Sequence, residues 1–186
     1  MKPSHDGASA VHSGVIHDEA AGAIAVWVTR NGVRRIGPVT PEMIDEGHWD
    51  AQAHPTLIEA LQQLAQYFSG KRKRFDLPLD LSGATEFQRR TYHQLMEIPY
   101  GRIVSYGHIA DELSEPGAAR AVGQAVGANP LPIVIPCHRV VRSDHKLGGY
   151  SGGLRLKVTL LGIEGIDVDG HQSGSRVQPE LLRLPL

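Results

Sequence analysis

The sequence predicts an α+β fold in which a small α/β half is followed by a mostly helical half. Three observations carry this. Apolar residues alternate ahead of Asn31-Gly32, residues 55–68 repeat them at helical spacing, and beyond Ser82-Gly83 the helical period dominates. The expected organisation is a disordered lead-in over residues 1–20, an α/β domain over 21–82, a helical domain over 83–166 and a flexible tail over 167–186.

The opening residues are rich in Ser, His, Gly and Ala and lack the apolar stretch of a secretory signal, which points to the cytoplasm. Over residues 23–39, Ile24, Val26 and Val28 alternate, and Asn31-Gly32 is a hairpin signal ahead of Val33 and Ile36. The helix over 55–68 is expected to bury Leu57, Ile58, Leu61, Leu64, Ala65 and Phe68, and Ser69-Gly70 closes it. The basic run Lys71-Arg72-Lys73-Arg74 reads as a solvated loop in preference to a nucleic-acid patch. A short extended element follows over residues 75–81.

In the second half, residues 85–98 form a helix with Phe87, Tyr92, Leu95 and Met96 inside, stopped by Pro99. Ser105 caps a second helix through residue 113, and Pro116-Gly117 turns the chain into a third over 118–128, which must end by Asn129-Pro130. Ile133-Val134-Ile135 reads as an extended run leading into Pro136-Cys137-His138-Arg139. A last helix spans 154–161, and after Gly165 the Gly, Ser, Gln and Asp content suggests loose packing.

Composition removes several functions. One cysteine excludes an internal disulfide and a multi-thiolate metal centre, and the ten histidines show no ligand spacing, so no metal is expected. No run approaches the roughly eighteen apolar residues of a membrane span. The net charge of −1 is uninformative, but residues 84–160 carry nine basic and six acidic side chains, so the helical half is the basic one.

The two helices over residues 105–128 make a helix-turn-helix pattern. The second, with Ala118, Ala119, Arg120, Ala121 and Gly123, offers almost nothing to read bases in a major groove. It is either a tightly packed core helix or a flat surface for the minor groove, where binding need not read sequence. Cys137 and His138 are adjacent, and an imidazole near a thiol can take its proton. On an extended segment the two side chains would point apart, so the pair needs a turn or a bridging water. Glu164 is available to orient the imidazole.

Taken together these segments resemble the O6-alkylguanine-DNA alkyltransferase family over residues 87–165, and the N-terminal half matches more weakly, chiefly at Tyr67-Phe68, Gly70, Phe75 and Pro78-Leu79. The motifs are Ile98-Pro99-Tyr100-Gly101, Ser105-Tyr106, Pro116-Gly117-Ala118-Ala119-Arg120-Ala121-Val122-Gly123, Asn129-Pro130, Ile135-Pro136-Cys137-His138-Arg139-Val140, Gly149-Tyr150-Ser151-Gly152-Gly153 and Glu164-Gly165. The resemblance implies a ribonuclease H-like N-terminal domain and a winged helix-turn-helix-like C-terminal domain. It implies DNA repair by direct reversal: O6-alkylguanine, with O4-alkylthymine as a further candidate, is rotated out of duplex DNA and gives its alkyl group irreversibly to Cys137.

In that scheme His138 is the base and Glu164 its orienting partner, while Asn129 ties the recognition helix to the site and Tyr106 protonates the leaving guanine. Val140, Tyr150, Ser151 and Gly152 line the pocket. Arg120 fills the place of the rotated base, with Ala118, Ala119, Ala121 and Gly123 against the minor groove. The implied partner is double-stranded DNA, met by a monomer, without a cofactor. Two departures stand out: the N-terminal half has no cysteines to match the zinc ligands of some relatives, and Ile163 occupies a position where many relatives carry His. A thiol hydrolase would leave the Ala/Arg helix unexplained, and a non-enzymatic alkylguanine-binding module would lack the nucleophile.

Overall fold

The computed structural model describes residues 11–47, 49 and 54–177. The predicted lead-in over 1–10 and the tail over 178–186 lie outside the described residues. Strands β1 (His12–Asp18), β2 (Gly22–Thr29) and β3 (Gly32–Pro38) form an antiparallel sheet in the order β1-β2-β3. The expected lead-in is therefore corrected over residues 12–18. This segment shows little apolar alternation, yet it pairs with β2 from His12↔Val28 to Asp18↔Gly22, and the Asp18 carboxylate builds the turn by accepting from the Ala20 and Ala21 N–H groups. Backbone pairing, invisible to side-chain periodicity, decides the strand.

The β2–β3 hairpin turns at Arg30-Asn31, and a bulge follows between Trp27 and Val28, beside which Arg34 reaches Asp80 and Ser82. Gly32 has φ +132°, and a Cβ there would sit 2.2 Å from the Pro78 carbonyl oxygen. That close approach lets β3 meet residues 78–80, where Val33 N donates to Pro78 O at 2.8 Å and Asp80 N to Val33 O at 2.8 Å. The extended element expected over 75–81 is thus reduced to one bridge, Val33↔Leu79. Helix α1 (Pro41–Glu46) was not anticipated; Thr40 caps it and Pro41 starts it.

Helix α2 (Pro55–Phe68) lies across the sheet with Leu57, Ala60, Gln63, Leu64 and Tyr67 buried. Its inner face is rotated from the expected one: Ile58 is 40% exposed and Ala65 is exposed, while Tyr67 is fully buried. The rotation is held because Gln63 exchanges two 2.9 Å hydrogen bonds with the backbone of Asp76, so its amide is satisfied inside.

The helical half begins with α3 (Glu86–Glu97), closed at its start by a reciprocal capping box between Thr85 and Gln88. Ser105 caps α4 (Tyr106–Glu112) as expected, and α5 (Ala119–Gly127) follows the turn. Arg90 on α3 pins that turn by donating to the Leu113 carbonyl and the Glu115 carboxylate. Strands β4 (Val104–Ser105) and β5 (Val140–Val141) pair in parallel, and α6 (Leu154–Ile163) completes the half.

Ile133-Val134-Ile135 is not a strand. Ile133 has φ +78° and the Ile135 N–H returns to Leu131 O, so these β-branched residues are apolar because every residue from 131 to 141 is buried. One apolar core runs through both halves, from Ile24 and Leu64 to Cys137 and Leu160. A second, around Ile103, Leu147, Leu161, Ile166 and Val177, corrects the loose tail over residues 167–177. The Leu147 N–H there donates to Ser175 O, and the Val177 N–H to His145 O. Among the described residues no helix is long and apolar enough to cross a membrane.

Candidate active site

Cys137, His138 and Arg139 form a single 3-10 turn, the local bend that adjacent reactive side chains require. It sends Cys137 toward the end of α5 and His138 toward the end of α6. Cys137 is 1% exposed. Its Sγ accepts a hydrogen bond from Asn129 Nδ2 at 3.0 Å, and the same amide group donates to Ile135 O at 2.9 Å. Asn129 Oδ1 accepts from Leu131 N at 3.0 Å. One side chain thereby fixes both the exit from α5 and the sulfur.

His138 Nε2 lies 2.8 Å from Glu164 Oε1. Arg139 donates to both Glu164 oxygens and to Ile98 O, and Gly101 N donates to Glu164 Oε2 at 3.0 Å. Gly101 has φ +73°, which explains the glycine in the Pro-Tyr-Gly motif. Burial alone would raise the Glu164 carboxyl, but the hydrogen bonds and charges of His138 and Arg139 outweigh it and bring the pKa down to about 2. An ionised carboxylate only accepts, so Nε2 carries the imidazole proton. His138 Nδ1 is left as a buried lone pair without a protein partner. Burial also holds the imidazole below its usual pKa, with Glu164 opposing. The result is a neutral base, oriented by a carboxylate.

Burial pushes the Cys137 thiol up, and the Asn129 hydrogen bond, the Lys157 charge and the Tyr150 hydroxyl pull it back. The Tyr150 hydroxyl is buried close to the sulfur without completing a hydrogen bond. Tyr106, at the start of α4, packs beside Gly123 of α5 and Gly148, and burial and the nearby thiol raise its pKa. Gly152 is half-buried, and a Cβ there would come within 2.9 Å of Tyr150 and Leu156.

Ser151 is exposed. Arg120 and Ala121 are exposed on α5, while Ala118, Ala119 and Gly123 are half-buried. The structure therefore gathers Asn129, Cys137, His138 and Glu164, places Tyr106, Val140 and Tyr150 around them, and leaves Arg120 on the open face of the helix that leads in.

Three participants were not assigned roles from sequence. Arg139 stands in the recognised motif and is satisfied by Glu164. Lys157 is fully buried, and its Nζ donates to Val140 O at 2.7 Å and Leu147 O at 2.5 Å. Its signal was a cation on the apolar stripe of α6 with Leu160, Leu161 and Glu164. Burial brings its pKa down to about 8, opposed by the Cys137 thiolate. Tyr67, from α2, donates to Glu164 Oε1 at 2.8 Å.

Among the described residues no group of three or more His, Cys, Asp and Glu side chains is arranged to hold a metal ion. A cleft of about 670 Å³ lined by Lys73, Phe75, Met96, Pro136 and Arg139 lies between the halves and does not include Cys137.

The ribonuclease-like domain of 6-O-methylguanine DNA methyltransferase matches residues 15–81, and the DNA-binding domain of the same proteins matches 86–166. A crystal structure of the Mycobacterium tuberculosis O6-methylguanine methyltransferase superposes with a TM-score of 0.71 at 37% identity, covering 83% of this chain and 93% of that one. This chain belongs to the O6-alkylguanine-DNA alkyltransferase family.

Another family member, the methylated-DNA–protein-cysteine methyltransferase of Mycolicibacterium paratuberculosis, is 55% identical over 105 residues, which is 56% of this chain and 63% of that protein. The alignment thus spans somewhat less than two thirds of that relative's length. A structure of the M. tuberculosis alkyltransferase in complex with DNA superposes with a TM-score of 0.70 at 38% identity, over 83% of this chain and 93% of that one. The family's mixed fold, a ribonuclease-like domain followed by a helical DNA-binding domain, is the one predicted from sequence.

Proposed function

We propose that this protein reverses O6-alkylguanine damage in double-stranded DNA by moving the alkyl group onto Cys137, once per molecule. One observation carries the reading: the chain's single thiol lies beside an amide donor and next in sequence to a neutral imidazole whose protonated nitrogen faces an ionised glutamate.

The chemistry follows in order. His138 Nδ1 takes the thiol proton through a bridging water, and Glu164 stabilises the imidazolium that forms. The Cys137 sulfur attacks the alkyl carbon, so a C–S bond forms as the C–O6 bond breaks and its electron pair passes to guanine. Tyr106 donates a proton at N3 as the base leaves. The product is a thioether, and the chain contains no second thiol to displace it. The scheme uses no cofactor.

The Val140 carbonyl has two lone pairs, of which Lys157 occupies one, leaving the other for the exocyclic amine of guanine. Tyr150, Ser151 and Gly152 close the alkyl side. Because the thiol is buried, the base must leave the duplex to reach it. The small residues of α5 suit the minor groove, and exposed Arg120 takes the rotated base's place in the stack. The DNA complex of the M. tuberculosis relative supports this partner. We place the protein in the cytoplasm, acting as a monomer.

The test is incubation with duplex DNA carrying O6-methylguanine, followed by peptide mass analysis. One methyl group on the Cys137 peptide is expected, and an unmodified peptide after complete incubation would sink the reading.

A further inference from the structure

Tyr67 is the one fully buried side chain of α2 that faces the thiol-activating groups rather than the sheet. Its hydroxyl donates to Glu164 Oε1 at 2.8 Å and lies 3.4 Å from His138 Nε2. The ring is held by Phe75, with centroids 5.4 Å apart, and edge-on by Tyr100 at 6.3 Å. Glu164 Oε1 thus receives Tyr67, His138 and Arg139 together, while Oε2 receives Gly101 and Arg139.

Arg139 touches both oxygens and can draw the carboxylate along its own fork, away from the imidazole. Tyr67 comes from the N-terminal half and donates to Oε1, the oxygen that His138 also meets. Burial and the Glu164 charge raise the phenol far above its ordinary pKa, so it stays a donor.

We infer that Tyr67 is a positioning residue, lent by the N-terminal half, which keeps Glu164 Oε1 aligned with His138 and so makes thiol activation depend on docking of the two halves. The inference rests on the Cys137–His138–Glu164 reading of the site. It gives the N-terminal half a part in the chemistry although the sulfur's own hydrogen-bond donor, Asn129, comes from the other half.

The chain's single cysteine makes the test direct, because the difference in ultraviolet absorbance between each protein and its Cys137→Ser counterpart separates one thiolate from the titrating tyrosines. Tyr67→Phe removes one oxygen and keeps the ring. The thiol should then titrate at higher pH than in the wild type, in the same direction as Glu164→Gln, and DNA alkylation should slow by about tenfold, as for loss of one hydrogen bond to a buried charge.

In the double variant Tyr67→Phe/Glu164→Gln the first change should add nothing to the second. Leu57→Ala, a buried change ten residues earlier on the same helix, should lower thermal stability and leave the titration where it was. A wild-type titration curve in Tyr67→Phe, or losses that multiply in the double variant, would overturn the inference.

A second measurement needs no variant at Tyr67. The Tyr67 hydroxyl and His138 Nε2 protons should give slowly exchanging downfield NMR signals that both move on Glu164→Gln. A Tyr67 signal indifferent to Glu164 would also overturn it. None of the spectroscopic arms uses DNA, so a wild type that failed to take up the alkyl group would count against the repair reading while the titrations still decided on Tyr67.

Discussion

Asn129 Nδ2 donates to Cys137 Sγ at 3.0 Å, while the other end of the same side chain accepts from Leu131 N. The amide is therefore both a structural staple and the thiol's hydrogen-bond donor. Asn129→Ala leaves the Leu131 N–H and Ile135 carbonyl buried without this partner, a loss expected to cost about 2–4 kcal/mol in chemical denaturation. The thiolate loses a donor at the same time, so the thiol should titrate at higher pH than in the wild type. A variant as stable as its parent would show that neighbouring groups replace the staple.

Glu164 makes stability depend on acid in a defined direction. Its folded pKa of about 2 lies below its ordinary 4.5, so its contribution is complete above 4.5 and is lost as pH falls through about 2. Glu164→Gln leaves Arg139 buried without its counter-charge and should lower stability by about 3–5 kcal/mol near neutrality. The gap between wild type and variant should stay flat above 4.5 and narrow between 4.5 and 2. Urea melts across that window check it, and a gap that widened on acidification would contradict the assignment.

Much of this site was legible in the sequence because its parts sit in short contiguous motifs. Cys137 and His138 are neighbours, Asn129 ends a helix that Pro130 forces to stop, and the Ala/Gly helix carries one Arg. Tyr67 stands among the weaker matches to the family, but its contact with Glu164 was not legible. It lies 97 positions from Glu164, and helical periodicity alone allowed an inner face turned toward Ile58 and Ala65. Only the partner for Gln63 across the chain, at Asp76, fixes the rotation that brings Tyr67 inward. Strand β1 was missed for a related reason: its residues show little alternation and its pairing with β2 is made by backbone.

Lys157 was hidden in an apolar stripe and is exceptional as a fully buried ammonium held by two carbonyls. Its charge favours the Cys137 thiolate, and its hydrogen bonds hold the Val140 carbonyl, which the proposed guanine contact uses. Lys157→Met keeps the apolar volume and removes both effects. The thiol should titrate at higher pH, and alkylation of O6-methylguanine DNA should slow at neutral pH and recover partly as pH is raised. An unchanged thiol titration would reduce Lys157 to a structural strut.

Arg120 tests the delivery of the base separately from the chemistry at sulfur. It is exposed near the start of α5, so Arg120→Ala should change stability by no more than about 0.5 kcal/mol. Rotating a base out of duplex DNA costs a few kcal/mol in lost stacking and pairing, and the guanidinium offsets part of this by filling the gap. The free modified base has no stack to leave. Arg120→Ala should therefore slow reaction with duplex-embedded O6-methylguanine by about tenfold or more and leave reaction with the free base near the wild-type rate. Equal slowing on both substrates would mean that Arg120 acts on the pocket and not on the DNA stack.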